Sequence, residues 1–263
     1  WLNKGFDGLR IDAPMYLIED SGVYKNTQET HDWFKELRKD VVDAYASPKF
    51  MVGETWISGD RTTLNSYFGT SAAPEFNMVL DFDAGLPCID SVNHHYDSTV
   101  STIRANPADF TGEAYGTFLG NHDLYAGRFG STLAGDTARI QETTALSLMR
   151  PTVPFIYYGN ELGQQITTDG GDLALRGPFD WTAEASQASD AVSTLNLNKA
   201  LLTLRKTYAE TFSDGSVTKL VSSNSASAAY LISGNSDKFL CVYNFSKSAS
   251  PSLTFTGSSI AAG

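Results

Sequence analysis

Cysteine is nearly absent from this 263-residue chain, which has two, Cys88 and Cys241. Two cysteines make no disulfide framework, and these fall in different predicted domains, which argues against a pair. The redox compartment is left open. Positive charge is also short: 19 Lys and Arg face 30 Asp and Glu, a net charge of −11. Nucleic acid and anionic membranes require a basic face, so neither is expected as a partner, whereas a neutral substrate is compatible. No apolar run nears the roughly 18 residues that span a bilayer. The chain opens on Trp1, with neither Met nor a signal peptide. Trp1 is therefore expected to be an internal residue of something longer or an end left by processing. Internal repeats and low-complexity tracts are missing too.

What is present is core material, with 41% hydrophobic and 12% aromatic residues, enough for a large core and room for two domains. The chain is organised around Gly8-Leu9-Arg10-Ile11-Asp12-Ala13. This predicts a short buried strand with Leu9 and Ile11 on one face and Arg10 and Asp12 on the other. Charges on a buried strand need partners, and Arg10 would hold Asp12 ionised. An ionised, oriented carboxylate at a strand end suits a nucleophile. Taken alone, such a stretch is more often a structural ion pair. Two more stretches end in acids. Phe50-Met51-Val52-Gly53 leads to Glu54, Thr55 and Trp56, and Thr117-Phe118-Leu119-Gly120-Asn121 leads to His122-Asp123. Strand-end acids in separate strand–helix units point to the (β/α)8 barrel, whose chemistry sits at the carboxyl ends of its strands. Two acids working on one bond point to glycoside hydrolysis.

These three stretches resemble the nucleophile, acid/base and transition-state motifs of the α-amylase family of glycoside hydrolases. Also similar to the family are Asn26-Thr27-Gln28-Glu29-Thr30-His31 before Trp33-Phe34-Lys35, and Tyr157-Tyr158-Gly159-Asn160-Glu161-Leu162-Gly163. So is Arg176-Gly177-Pro178-Phe179-Asp180-Trp181, a variant of an Arg-x-Pro-Met-x-Trp pattern. The resemblance covers roughly residues 1–210. It implies Asp12 as nucleophile and Glu54 as general acid then base, with a pKa raised by a partly desolvated site beside Trp56. It implies Asp123 as the acid that binds sugar hydroxyls. Arg10 would align Asp12, and His122 would donate to the same sugar. Tyr16, Trp56, Tyr125 and Arg128 would line the cleft. A structural calcium and a secreted or periplasmic location are further implications. Where many α-amylases carry Lys-His, this chain has Met15 and Tyr16, so the metal ligands stay unassigned. Asp12-Ala13-Pro14-Met15-Tyr16-Leu17 leans toward α-glucosidases and trehalose-forming isomerases.

Periodicity and turn residues predict strands near 8–13, 49–54, 76–82, 114–120 and 152–158. Helices are expected near 27–46, 60–68, 90–104, 136–149 and 193–208. A loop of about thirty residues follows Tyr158, long enough to suggest function. From Thr211 onward, short β runs appear. The expected fold is α/β: the carboxyl-terminal five strand–helix units of a (β/α)8 barrel, strands four to eight, over 1–210. An all-β antiparallel domain would occupy 211–263. A closed barrel needs eight strands, so the amino-terminal part of the same enzyme is an expected partner. Asp81-Phe82-Asp83, and His94-His95 with Asp97, invite a metal reading. The first also fits a structural turn of the family, and adjacent helical residues do not share a face.

The leading expectation is retaining, endo-acting hydrolysis of α-1,4 bonds in starch-like glucans or malto-oligosaccharides. An oligosaccharide α-glucosidase or transglycosylase is the second reading. A non-catalytic carbohydrate-binding relative is the third, and the complete trio of acids argues against it.

Overall fold

The computed structural model describes residues 1–99, 102–103, 105, 113–123, 127–166, 171–248 and 254–256. It forms two compact units, Trp1–Asp83 with Asn106–Gly116, and Ala84–Ala105 with Thr117–Gly263.

In the first unit, β1 (Gly8–Ile11), β2 (Phe50–Gly53), β5 (Met78–Leu80) and the start of β6 (Ala114–Phe118) pair in parallel in that order. β3 (Gly69–Thr70) and β4 (Ala73–Pro74) make a small hairpin. Helix α1 (Gln28–Leu37) begins where predicted: the Thr27 hydroxyl accepts the Thr30 amide at 3.2 Å, satisfying an otherwise unpaired donor. It ends earlier than expected, passing into a π-helical turn over Arg38–Val42. From there the Arg38 guanidinium reaches the Glu75 carbonyl and the Asn77 side chain. Asp60 caps α2 (Arg61–Ser66). Phe34, Met51, Leu64, Phe68, Phe76 and Val79 are the centre of this unit's core, and Leu9 and Ile11 pack against it. β1 is only half-buried, not the buried strand expected. The reason is its place at the end of the strand order, with a neighbour on one side among the described residues.

The second unit begins with α3 (Leu86–His94), four residues before the predicted start, because Pro87 suits a first turn where its missing N–H costs nothing. The helix stops at His95, which is left-handed (φ 60°). Short α4 (Phe129–Thr132) precedes α5 (Thr137–Leu148), and β7 (Val153–Phe155) follows β6 in the strand order. The long connection after β7 is not structureless: it carries α6 (Asp172–Leu175) and α7 (Trp181–Ala188). After α8 (Thr194–Thr207) and α9 (Ala209–Asp214) come β8 (Ser216–Ser222), β9 (Ser227–Ser233), β10 (Lys238–Asn244) and β11 (Phe255–Thr256). These form an antiparallel sheet in the order β10-β9-β8-β11. Its inner face, with Ala228, Tyr230, Ile232, Cys241 and Tyr243, shares one core with Cys88, Ile89 and Val92 of α3 and Ile140 and Leu146 of α5. Both cysteines are free, yet they sit in that same core rather than apart. No helix among the described residues is long and apolar enough to cross a membrane.

Arg205, in the last turn of α8, donates to the carbonyls of Leu148, Arg150 and Thr152. Burial lowers its pKa to about 10. Arg205→Met keeps the apolar stem and leaves three carbonyls without this donor. The expected loss is about 3 kcal/mol of unfolding free energy, since unsatisfied buried acceptors are costly. Urea denaturation checks it, and a change under about 0.5 kcal/mol would match an ordinary surface substitution instead.

Candidate active site

β1 and β2 are parallel neighbours, so the residues that follow them leave the sheet at the same end. The ladder runs one step further: the Glu54 amide donates to the Ile11 carbonyl at 2.9 Å. Arg10 bonds Asp12 through Nη1 and Glu54 Oε1 through Nη2, the latter at 2.9 Å. Ala13 is left-handed, with φ 39° and ψ 51°, a conformation uncommon for a residue with a Cβ. Its amide donates to Glu54 Oε2 at 3.3 Å. One guanidinium and one backbone donor therefore fix the Glu54 carboxyl.

The two acids have different surroundings. The Glu54 side chain is 14% exposed and that of Asp12 78%. Burial raises the Glu54 carboxyl above its usual value; Arg10 and the Ala13 amide oppose that, and the Asp12 carboxylate, close enough to hydrogen-bond, adds to it. Glu54 is thus drawn toward its protonated form beside a solvated neighbour. Trp56 stacks on Phe82 with ring centroids 6.1 Å apart and remains exposed. Tyr16 is exposed at the end of a 3-10 turn over Pro14–Tyr16.

In the second unit, His122 and Asp123 lie just beyond β6. Gly120 is required there, because a Cβ would stand 2.3 Å from the Gly127 carbonyl oxygen. The Asn121 amide donates to that carbonyl, and the Asp123 amide to the Asn121 side chain. Asp123 Oδ1 accepts from Arg176 Nη2 at 3.2 Å, and Oδ2 lies 3.4 Å from His122 Nε2. Arg176 Nε also donates to the His122 carbonyl at 3.1 Å.

The structure therefore gathers Arg10, Asp12 and Glu54 in the first unit, and His122, Asp123 and Arg176 in the second. Arg176 had no role assigned from sequence, although it opens the Arg-Gly-Pro-Phe-Asp-Trp motif. Arg128, expected to line the cleft, is 2% exposed. Its guanidinium lies over the rings of Tyr157 and Tyr158 and donates to the Leu175 and Tyr158 carbonyls. It braces the chain after β7, since a charge this deeply placed must be hydrogen-bonded. Tyr125 falls outside the described residues. Among the described residues no three His, Cys, Asp or Glu side chains are grouped to hold a metal ion. His95 instead has its Nδ1 2.6 Å from the Phe245 carbonyl.

A parallel sheet with ionisable residues beyond its strand ends, followed by an antiparallel sheet, defines the class: an α/β domain of the barrel type with a β module after it. The family described as α-amylase, catalytic domain, matches residues 1–215, and the chain belongs to the α-amylase family. It is 26% identical over 283 residues to the α-amylase SusG of Bacteroides thetaiotaomicron, covering 95% of this chain and 39% of that protein. It is 26% identical over 318 residues to the trehalose synthase/amylase TreS of Mycobacterium tuberculosis, covering 95% and 52%. Its fold matches a crystal structure of an α-amylase from H. orenii with a TM-score of 0.75 at 20% identity, over 93% of this chain and 52% of that one. An isomaltulose synthase from Erwinia rhapontici NX5 matches with 0.70 at 18% identity, over 93% and 58%. The chain thus spans about two fifths to three fifths of these proteins.

Proposed function

We propose that this chain carries the nucleophile and acid/base of a retaining enzyme that cleaves α-glucosidic bonds. The observation that carries the reading is the Arg10 guanidinium bonded to both Asp12 and Glu54 beyond adjacent parallel strands. One guanidinium bonded to both carboxyls favours the short separation of a retaining pair over the roughly 6.5–9.5 Å of an inverting one. Asp12 attacks the anomeric carbon while Glu54 gives its proton to the departing glycosidic oxygen. Glu54 then takes a proton from water, or from an acceptor sugar hydroxyl, as that oxygen displaces Asp12. Asp123 and His122 are proposed to hold sugar hydroxyls, with Tyr16 and Trp56 as stacking surfaces. The test is the anomeric form of the first product, read by NMR: retention supports the reading, and inversion would remove it.

Hydrolysis of α-1,4-glucans by an endo-acting route is the first specific reading. Transfer or isomerisation of short oligosaccharides is the second, favoured by Met15 and Tyr16 after the nucleophile and by the likeness to trehalose synthases. Product analysis on soluble starch against maltose separates them.

The half-buried β1 supports a further proposal, that an amino-terminal part of the same enzyme adds the missing strands beside it. Unpaired strand edges invite such pairing. Residues 1–263 expressed alone are expected to show no glycosidase activity, and activity is expected to return on mixing with the remainder. A soluble, active 1–263 would remove this proposal. Structural calcium stays a proposal for the whole protein; the described residues do not gather a side-chain site for it, and no step above uses it. Chelation followed by a melting curve tests it.

Arg176 is proposed as the positioning residue for Asp123. Arg176→Met should lower kcat/KM by about fivefold, since a partly exposed ion pair contributes on the order of 1 kcal/mol. Arg176→Lys should restore only part of the loss, because it cannot hold both Asp123 and the His122 carbonyl in one planar fork.

A further inference from the structure

His31 ends a stretch that the reaction at Asp12 and Glu54 does not use. Its Nδ1 lies 2.8 Å from Glu75 Oε2, and the Glu75 side chain is 1% exposed. A carboxylate acceptor at Nδ1 keeps the ring proton there and leaves Nε2 with a free lone pair. Nε2 faces Ser66 Oγ at 3.4 Å. Ser66 is the last residue of α2 and is open to solvent. Its hydroxyl donates to the Thr63 carbonyl at 2.8 Å, so rotation about a side-chain bond turns the proton to His31. Two contacts hold the relay in place. The Tyr67 ring packs on His31 at 4.5 Å, and Lys35 Nζ stands 3.9 Å from the second Glu75 oxygen. A nucleophile–base contact of this length is common before substrate binds.

We propose that Ser66, His31 and Glu75 form a second, nucleophilic site that hydrolyses small activated acyl esters. Ser66 Oγ attacks the carbonyl carbon as His31 Nε2 takes its proton. The alcohol leaves with that proton, and the acyl group stays on Ser66. Water then attacks the acyl carbon, giving its proton to His31, which returns it to Ser66 Oγ as the carboxylic acid departs. The sum is one ester and one water giving one acid and one alcohol. Ser66 and His31 touch the reacting atoms; Glu75 is a positioning residue, fixing the tautomer and stabilising the imidazolium. The site does not depend on the glycosidic reading.

The test uses the intact enzyme with p-nitrophenyl acetate as substrate and a fluorophosphonate as label. The label is expected on Ser66, with fluoride released. Ser66→Ala should remove that adduct and cut ester hydrolysis at least about tenfold, a modest share of what a positioned base supplies, while glycosidic cleavage is unchanged. His31→Gln can still hydrogen-bond Glu75 and should lower labelling of Ser66 by a similar factor. Glu75→Gln should lower kcat for the ester with KM unchanged, which a purely structural role would not separate. A label on another residue, or equal ester hydrolysis by the Ser66→Ala enzyme, would overturn the proposal.

Discussion

Asp12→Asn in the intact enzyme is expected to abolish turnover, with kcat falling roughly 10⁴-fold or more, as removal of a covalent nucleophile does elsewhere. The loss should fall on every substrate alike, because without the carboxylate no glycosyl–enzyme bond forms. Folding should be nearly unaffected. The Asp12 side chain is 78% exposed, and its bond with Arg10 is of the solvent-screened kind that contributes little to stability. A mechanism-based fluoro-sugar should leave a glycosyl adduct that maps to Asp12 in the parent enzyme and is missing in the variant. An adduct on any other carboxylate would assign the nucleophile elsewhere. The variant isolates chemistry from binding: Asn keeps the side-chain volume and an oxygen for Arg10, and loses only the charge that attacks.

Glu54→Gln is expected to fail selectively. On natural glucans, whose leaving oxygen must be protonated as it departs, the loss should be about 10²–10⁴-fold, the usual worth of a positioned general acid. On aryl glucosides with good leaving groups the first step needs no proton, so the loss should be much smaller there. The pH profile gives a second, independent reading. Burial raises the Glu54 carboxyl, so its protonated, donating form persists to higher pH than in an ordinary glutamate. Activity on glucans should fall as pH rises through that value, and this alkaline limb should vanish in Glu54→Gln. Equal losses on both substrate types, or an unchanged alkaline limb, would show that Glu54 is not the acid. Added azide should rescue the variant on activated substrates by attacking the glycosyl intermediate in place of activated water.

Features that depend on neighbours in the chain can be read from the residues alone. Strand period two places Arg10 and Asp12 on one face, and the two are bonded. Thr27 and Ser193 stand immediately before α1 and α8 and cap them, because an N-cap acts on amides within three residues. The five parallel strands and the antiparallel sheet after them were legible for the same reason: apolar runs and turn residues are local signals. Even so, α6 and α7 were not seen within the long connection. α7 buries none of its residues, so it has no apolar stripe for periodicity to detect.

Which distant groups meet follows from the folded arrangement. Arg10 also binds Glu54, from the next strand of the sheet, and Asp123 is held by Arg176, 53 residues away. No local pattern encodes such pairs, because they follow from strand order and from the path of long connections. The same holds for Arg128, which the family resemblance implied would line the cleft and whose buried guanidinium instead lies over the rings of Tyr157 and Tyr158. Its guanidinium donates to the carbonyls of Leu175 and Tyr158, 47 and 30 residues further along the chain. Sequence order names the ionisable groups; desolvation, long-range hydrogen bonding and strand adjacency decide what each becomes.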